Sequence, residues 1–261
     1  MNTLSMPSLP MFYRGLQSLE PKRHWGFGVR GVSNFSAVAK ANAVPLGISE
    51  FALAARSYPI VFGPAVSAGI PVAVTALVEG QNLFVDADGQ WLPETYIPGY
   101  LRRYPFWMRV DDEGRSASFF FDPYAEKIVP LECDATARPL FDFRGQPNTA
   151  LGEIVNFCRQ CLQDEQMTQR FMAALERERL LVQRQAHIEL APGQYYELGG
   201  FRVVDMDAYH RLPDATLADW VRQGYAALIA VHQWSMTHNW QHLLALHQQQ
   251  TSSPLTQTEP A

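Results

Sequence analysis

At Asn148 the chain changes its rule for placing apolar residues, and any fold has to accommodate both rules. Before it, short apolar runs are cut by turns rich in Pro, Gly and Asp. Beyond it, Leu151, Ile154, Val155, Cys158, Cys161 and Leu162 recur at helical spacing behind the cap candidates Asn148 and Thr149. A sheet-like half followed by a helical half reads as α+β, with antiparallel hairpins and short helices first, then long helices and one hairpin. The helical pattern runs through Phe171, Met172 and Leu175 towards Leu180. A hairpin follows at 186–190 and 195–198 around Ala191-Pro192-Gly193-Gln194, and one long final helix starts after the cap candidates Asp214 and Thr216.

The first half carries an internal echo. Asn34-Phe35 and Pro45 return 48 residues later as Asn82-Leu83 and Pro93. Each proline leads into a helical stretch, 48–57 and 94–103, that stops at Tyr58-Pro59 or Tyr104-Pro105, because proline cannot continue a helix and holds its predecessor extended. Strands at 60–62 and 106–108 follow, each with a second strand, at 71–78 and at 116–121 after Asp111-Asp112-Glu113-Gly114. Two readings stay open, a duplicated helix-plus-hairpin unit and a coincidence of few positions. The 261 residues suit one large domain or two small ones; we assign 1–20 as a flexible N-terminal segment, 21–247 as one α+β domain with a candidate sub-boundary near 147, and 248–261 as a flexible tail.

Composition excludes several functions. With 47% apolar and 12% aromatic residues, disorder over the whole length is ruled out. A net charge of −5 gives no general field for nucleic acid. The first twenty residues lack the basic start and apolar run of a secretory signal, and the apolar stretch 225–231 is far short of the roughly twenty residues that cross a bilayer. Three cysteines, Cys133, Cys158 and Cys161, are an odd number for a disulfide framework, so a reducing cytoplasm is the expected compartment.

Three segments carry a resemblance: LFVDADGQWLPETYIPGYLRRYPF at 83–106, PLFDFRGQP at 139–147, and the stretch opening with LGGFRVVD at 198. With Glu50-Phe51, Tyr58-Pro59-Ile60-Val61-Phe62, Gly200, Arg202, Val203, His232, Ser235 and Asn239 in the pattern, the chain resembles the SapC family over about 44–246. The resemblance implies a link by name to bacterial paracrystalline surface layers, and genes that accompany outer-membrane nutrient receptors and cupin-like or flavin-dependent enzymes. It implies no catalytic residue.

Candidate sites compete with plain structural readings. Gly26, Gly28 and Gly31 spell G-x-G-x-x-G near Glu50, but Pro21-Lys22-Arg23-His24-Trp25 before them is no buried strand, so a bulge or close strand contact is preferred to a dinucleotide loop. Cys158-x-x-Cys161 lies on an apolar helix stripe without further zinc ligands. Asp86-Ala87-Asp88-Gly89 lacks the rest of a calcium loop and reads as a hairpin turn. Arg102, Arg103 and Tyr104, near Trp91, Tyr96 and Tyr100, suit a carboxylate, phosphate or sugar acid, or a protein partner; the alternative is helix-end electrostatics and surface pairing. On the last helix His232, Ser235 and Asn239 fall inside the stripe of Leu217, Val221, Leu228, Leu243 and Leu246. They form either a satisfied internal network or the lining of a ligand cavity. His238 and His242 have i,i+4 spacing but no completing carboxylate, so no metal and no cofactor are assigned.

The first expectation is therefore a soluble accessory protein that binds a small anionic or carbohydrate-derived ligand, or a partner enzyme, through Trp91, Tyr96, Arg102, Arg103, Tyr104, His232, Ser235 and Asn239. Self-association is left open. The alternatives are an enzyme using His232 as general acid or base, oriented by Asp86, Asp142 or Asp205, and a surface-layer component.

Overall fold

A computed structural model describes residues 9–31, 34–64, 69–110, 117–191 and 193–252. The expected turn at 111–114 lies outside these residues, as do Pro192 and the terminal stretches 1–8 and 253–261. The chain forms two compact units: Met1–Ala37 with Tyr100–Gln163, and Val38–Gly99 with Asp164–Ala261.

The first unit contains β1 (Gln17–Ser18), α1 (Pro21–His24) and β2 (Phe27–Val29). The second takes up the chain with β3 (Ala43–Pro45), a 3-10 turn (Ile48–Glu50), α2 (Phe51–Ala54), β4 (Ile60–Phe62) and β5 (Pro71–Val74). Back in the first unit come α3 (Gly99–Arg102), which begins at the boundary, β6 (Phe106–Val110), β7 (Ala117–Phe121), β8 (Ile128–Pro130) and β9 (Arg138–Pro139). Helix α4 (Thr149–Arg177) begins in the first unit and ends in the second. Then follow β10 (Leu181–Ala191), β11 (Gln194–Val204), α5 (Met206–His210), α6 (Asp214–Gln223) and α7 (Tyr225–Ser252). The described pairings are all antiparallel, in the orders β1-β7-β6, β8-β2-β9 and β10-β11-β4-β5-β3, so the architecture is α+β.

The hairpins of the two echoed segments fall one in each unit and share a pairing scheme. In both, a short helix ends before Tyr-Pro, the next strand pairs with its successor, and an earlier strand pairs with the far side of that successor: β3-β5-β4 and β1-β7-β6. A second correspondence follows each hairpin. Asp86 Oδ1 accepts from the amides of Asp88 and Gln90, Gly89 has φ 75°, and Val85 bridges to Trp91. Asp142 Oδ1 accepts from Arg144 and Gln146, Gly145 has φ 73°, and Phe141 bridges to Pro147. Both D-x-x-G-Q segments are thus aspartate-pinned turns that need glycine at the left-handed position.

Amphipathic spacing explains each core. The α4 stripe lands where the sequence places it: Leu151 and Cys158 are buried with Val29, Phe106, Met108, Phe121, Leu140 and Phe141, and Ile154, Val155 and Leu162 pack against them. In the second unit Phe171 packs against Phe51, Phe62 and Tyr225. Gly28 is the strand glycine of a close contact, since a Cβ there would stand 2.6 Å from Leu131 and 2.9 Å from Ala137. Within the segments assigned to the ends, Tyr13 is buried edge-on to Tyr104 and Trp107 and donates to the Phe106 carbonyl at 2.7 Å, and α7 runs on to Ser252.

One boundary departs from expectation. The final helix is two helices, because Gly224 adopts φ 80° and its N–H turns back to the Val221 carbonyl. This left-handed stop rephases the apolar stripe, so Val221 is exposed and Trp220 takes the core position. Among the described residues no helix is long and apolar enough to cross a membrane.

Candidate functional site

The buried face of α7 carries Ile229, His232, Ser235, Asn239 and Leu243, so its polar members must find partners inside the second unit. They find them on the main chain. His232 donates from Nδ1 to the Ile60 carbonyl at 2.7 Å and accepts at Nε2 from the Val204 amide at 3.3 Å, which fixes one neutral tautomer. Burial lowers its pKa from 6.5 to about 4. Ser235 donates to the His232 carbonyl at 2.6 Å and accepts from the Ile60 amide at 3.0 Å. Asn239 donates from Nδ2 to the carbonyls of Tyr58, at 2.7 Å, and Ala55. The trio ties α7 to β4 and to the residues leading into it.

Tyr58 links this network to the aromatic candidates of the same unit. Its hydroxyl donates to the Tyr96 carbonyl, and its ring lies edge-on to Phe84, which stacks on Trp91. Tyr96 donates to Glu50 Oε1 at 2.6 Å; the same oxygen accepts from the Gly99 amide, and Oε2 accepts from Gly47 at 3.1 Å. A second buried carboxylate, Asp164, accepts from the amide and hydroxyl of Ser49, while Thr168 accepts from the Ile48 amide. The tail of α4 therefore caps the turn 48–50. Sequence reasoning passed over this cluster, whose only local signal is Ser49-Glu50 at a helix start.

Arg102, Arg103 and Tyr104 belong to the first unit. Arg103 is 5% exposed, its guanidinium 3.8 Å from the Trp107 ring centre and 4.5 Å from that of Tyr100. Arg102 is exposed and lies 4.9 Å over Phe157. Tyr104 donates to the buried Asp122 at 3.3 Å, and burial beside that carboxylate pushes its pKa up to about 12. A guanidinium between two rings is held by cation–π attraction and by packing of its stem. Arg103→Ala is expected to cost about 2 to 4 kcal/mol in urea unfolding and Arg102→Ala less than about 1 kcal/mol. Equal losses would show that the two ring contacts carry no special weight.

A cleft of about 450 Å³ lies in the second unit between β10–β11 and α7. Phe201, Val203 and Val204 come from β11; Gln233, Met236 and Trp240 face them from α7 at i, i+3, i+7 spacing; Arg184, Gln185, Asp205 and Asp207 add polar groups. Asp205 caps α5 by accepting from the Ala208 amide, and the rings of Phe201 and Trp240 are 5.9 Å apart. His232 touches this site from behind, through the Val204 amide. Of the cleft residues the sequence singled out Asp205, as a possible orienter of His232, and Val203, within the family pattern, but not the cleft itself; the signal available was the alternation Val182, Arg184, Ala186, Ile188, which extends the expected hairpin to a longer base. Among the described residues no three His, Cys, Asp or Glu side chains converge on a metal position.

A family model matches residues 19–243, and its description is SapC. The chain belongs to the SapC family. Neither the comparison with curated proteins nor that with solved structures returned a match. The matched span of this SapC-family chain contains the whole cleft and the His232, Ser235 and Asn239 network.

Proposed function

We propose that this SapC-family chain is an accessory binding protein that holds a partner protein, an enzyme in the reading the family resemblance supports, at the cleft between β10–β11 and α7. The observation that carries the reading is the make-up of that cleft. Two aromatic rings, Phe201 and Trp240, and two thioethers, Met206 and Met236, stand in an open site rimmed by Arg184, Asp205 and Asp207. Aromatic anchors inside a polar rim are the usual energetic centre of a protein interface. Catalysis through His232 is disfavoured, because both ring nitrogens are engaged by the main chain and the residue has no exposed surface. The odd cysteine count supports action in the cytoplasm; the link to surface layers rests on the family name and would require the protein in a cell-surface fraction.

A second reading has its own support. The same rings offer a face to a sugar, and Arg184 could pair with the carboxylate of a sugar acid, so a small carbohydrate-derived or anionic ligand fits the lining. Native mass spectrometry of the protein from host cytosol, against its denatured mass, separates the two. The partner reading expects an added protein mass, bound at least about 30-fold more weakly by a Trp240→Ala variant that circular dichroism shows to be still folded at the assay temperature. An added mass below about 1 kDa would replace it with the ligand reading, and a bare mass in both variants would remove both.

A further inference from the structure

β10 is an edge strand with an unusual lack of protection. It runs 11 residues, twice the common strand length, and contains no proline, no lysine and a single arginine. Among the described residues β11 pairs with one side of it and no strand with the other. The irregularity between Arg184 and Ala186 sits on the partner strand, where β11 spends the extra residue at Gly199-Gly200 with φ 78° at Gly200; the one between Glu189 and Ala191 adds Leu190 to β10 itself, so the uninterrupted outer edge of β10 runs from Leu181 to Glu189. The cleft is lined by three successive residues of this strand, Arg184, Gln185 and Ala186, beside Trp240 and Met236 of α7.

We propose that β10 is a docking edge: an extended segment of the partner adds to it as a further strand, with its inward side chains on Trp240, Met236 and Phe201. The proposal rests on the cleft reading given above and names how the partner is held. Main-chain hydrogen bonds along the edge supply affinity, and alternate side chains supply specificity. Charge sets the pattern of the segment. Arg184 pairs across from Phe201 and Leu181 from Val204, so Arg184 stands about 10 Å along the strand from the end carrying Asp205 and Asp207. The complementary segment carries a cation at the aspartate end, an acid three or four residues away, and apolar residues at alternate positions between them. A second copy of this chain is a poorer fit. With its apolar face on the same side, it sets Arg184 opposite even-numbered residues of β10, and Val182, Arg184, Ala186, Ile188 and Leu190 include no acid.

The test uses the full-length chain and a displayed library of ten-residue peptides, followed by synthetic versions of the selected peptide methylated at one backbone nitrogen at a time. Strand addition expects selection of alternating apolar peptides with the stated charge spacing. Methylation should weaken binding at least tenfold at every second position and less than about twofold between them, with slowed amide exchange within 183–189. Trp240→Ala should weaken the same peptide. A peptide that needs Trp240 but tolerates methylation everywhere, or binds as a helix, overturns strand addition and leaves the cleft as a docking site. Binding indifferent to Trp240→Ala overturns both, and a stable dimer of the chain that protects 183–189 without peptide assigns the edge to a second copy and overturns the proposal.

Discussion

Between pH 7 and pH 4 the protein should lose about 3 kcal/mol of stability through His232 alone. In the unfolded chain this imidazole titrates near 6.5, and in the fold near 4. Above pH 6.5 it is neutral in both states, and its contribution to stability is full. As pH falls from 6.5 towards 4, the unfolded state takes up a proton that the folded state refuses, so stability drops by up to about 1.4 kcal/mol per pH unit. Below about pH 4 both states are protonated, and the term is flat. Urea unfolding across this range should show the slope, and His232→Gln should remove it while lowering stability at pH 7 by about 2 to 4 kcal/mol, since the Ile60 carbonyl and Val204 amide lose well-placed partners. Identical slopes in the two proteins would show that His232 is not the buried neutral group described. The Asp134 carboxyl, held down to about 2 by the Thr136 hydroxyl and Arg30, adds a loss of the same sign that sets in only as pH falls towards 3.8, where the unfolded chain's carboxyl takes up its proton, so it touches only the acid end of that window.

Gly47→Ala should be among the most damaging small substitutions, and Gly152→Ala should be stabilising. The backbone at Gly47, φ −85° and ψ 157°, suits any residue, so its glycine is required by space. A Cβ there would stand 1.6 Å from Asp164 Oδ2, a buried carboxylate that holds the amide and hydroxyl of Ser49. Displacing it breaks the cap on the turn 48–50, with an expected loss of about 3 kcal/mol, a fall in Tm on the order of 10 °C. Gly152 lies inside α4 with nothing within 4 Å of its Cβ position, so alanine there removes only backbone freedom from the unfolded chain and gains about 0.5 to 1 kcal/mol. Thermal melts of both variants decide the matter; losses of similar size would mean that the Gly47–Asp164 contact is not what demands glycine.

Local chemistry was legible wherever it acts through neighbours in the chain. The strand at 60–62, the stop at each Tyr-Pro, the α4 stripe and the 86–89 turn follow from proline geometry, periodicity and an aspartate accepting from nearby amides, and the structure has all four. The break at Gly224 could have been read but was outweighed by the apolar stripe on either side of it, which is continuous in sequence and rephased in space.

The sequence by itself determined the α+β architecture, the SapC family and the placing of His232, Ser235 and Asn239 on a core-facing stripe. Only the tertiary structure decided what those residues do there, because apart from the His232 carbonyl that Ser235 reaches within the helix their partners, the main-chain groups of Ala55, Tyr58, Ile60 and Val204, are 28 to 184 positions away. The same holds for Asp164 against Gly47 and for Trp240 against Phe201. A periodic pattern states which face is buried; the group that meets that face comes from chain closure, which no local spacing encodes.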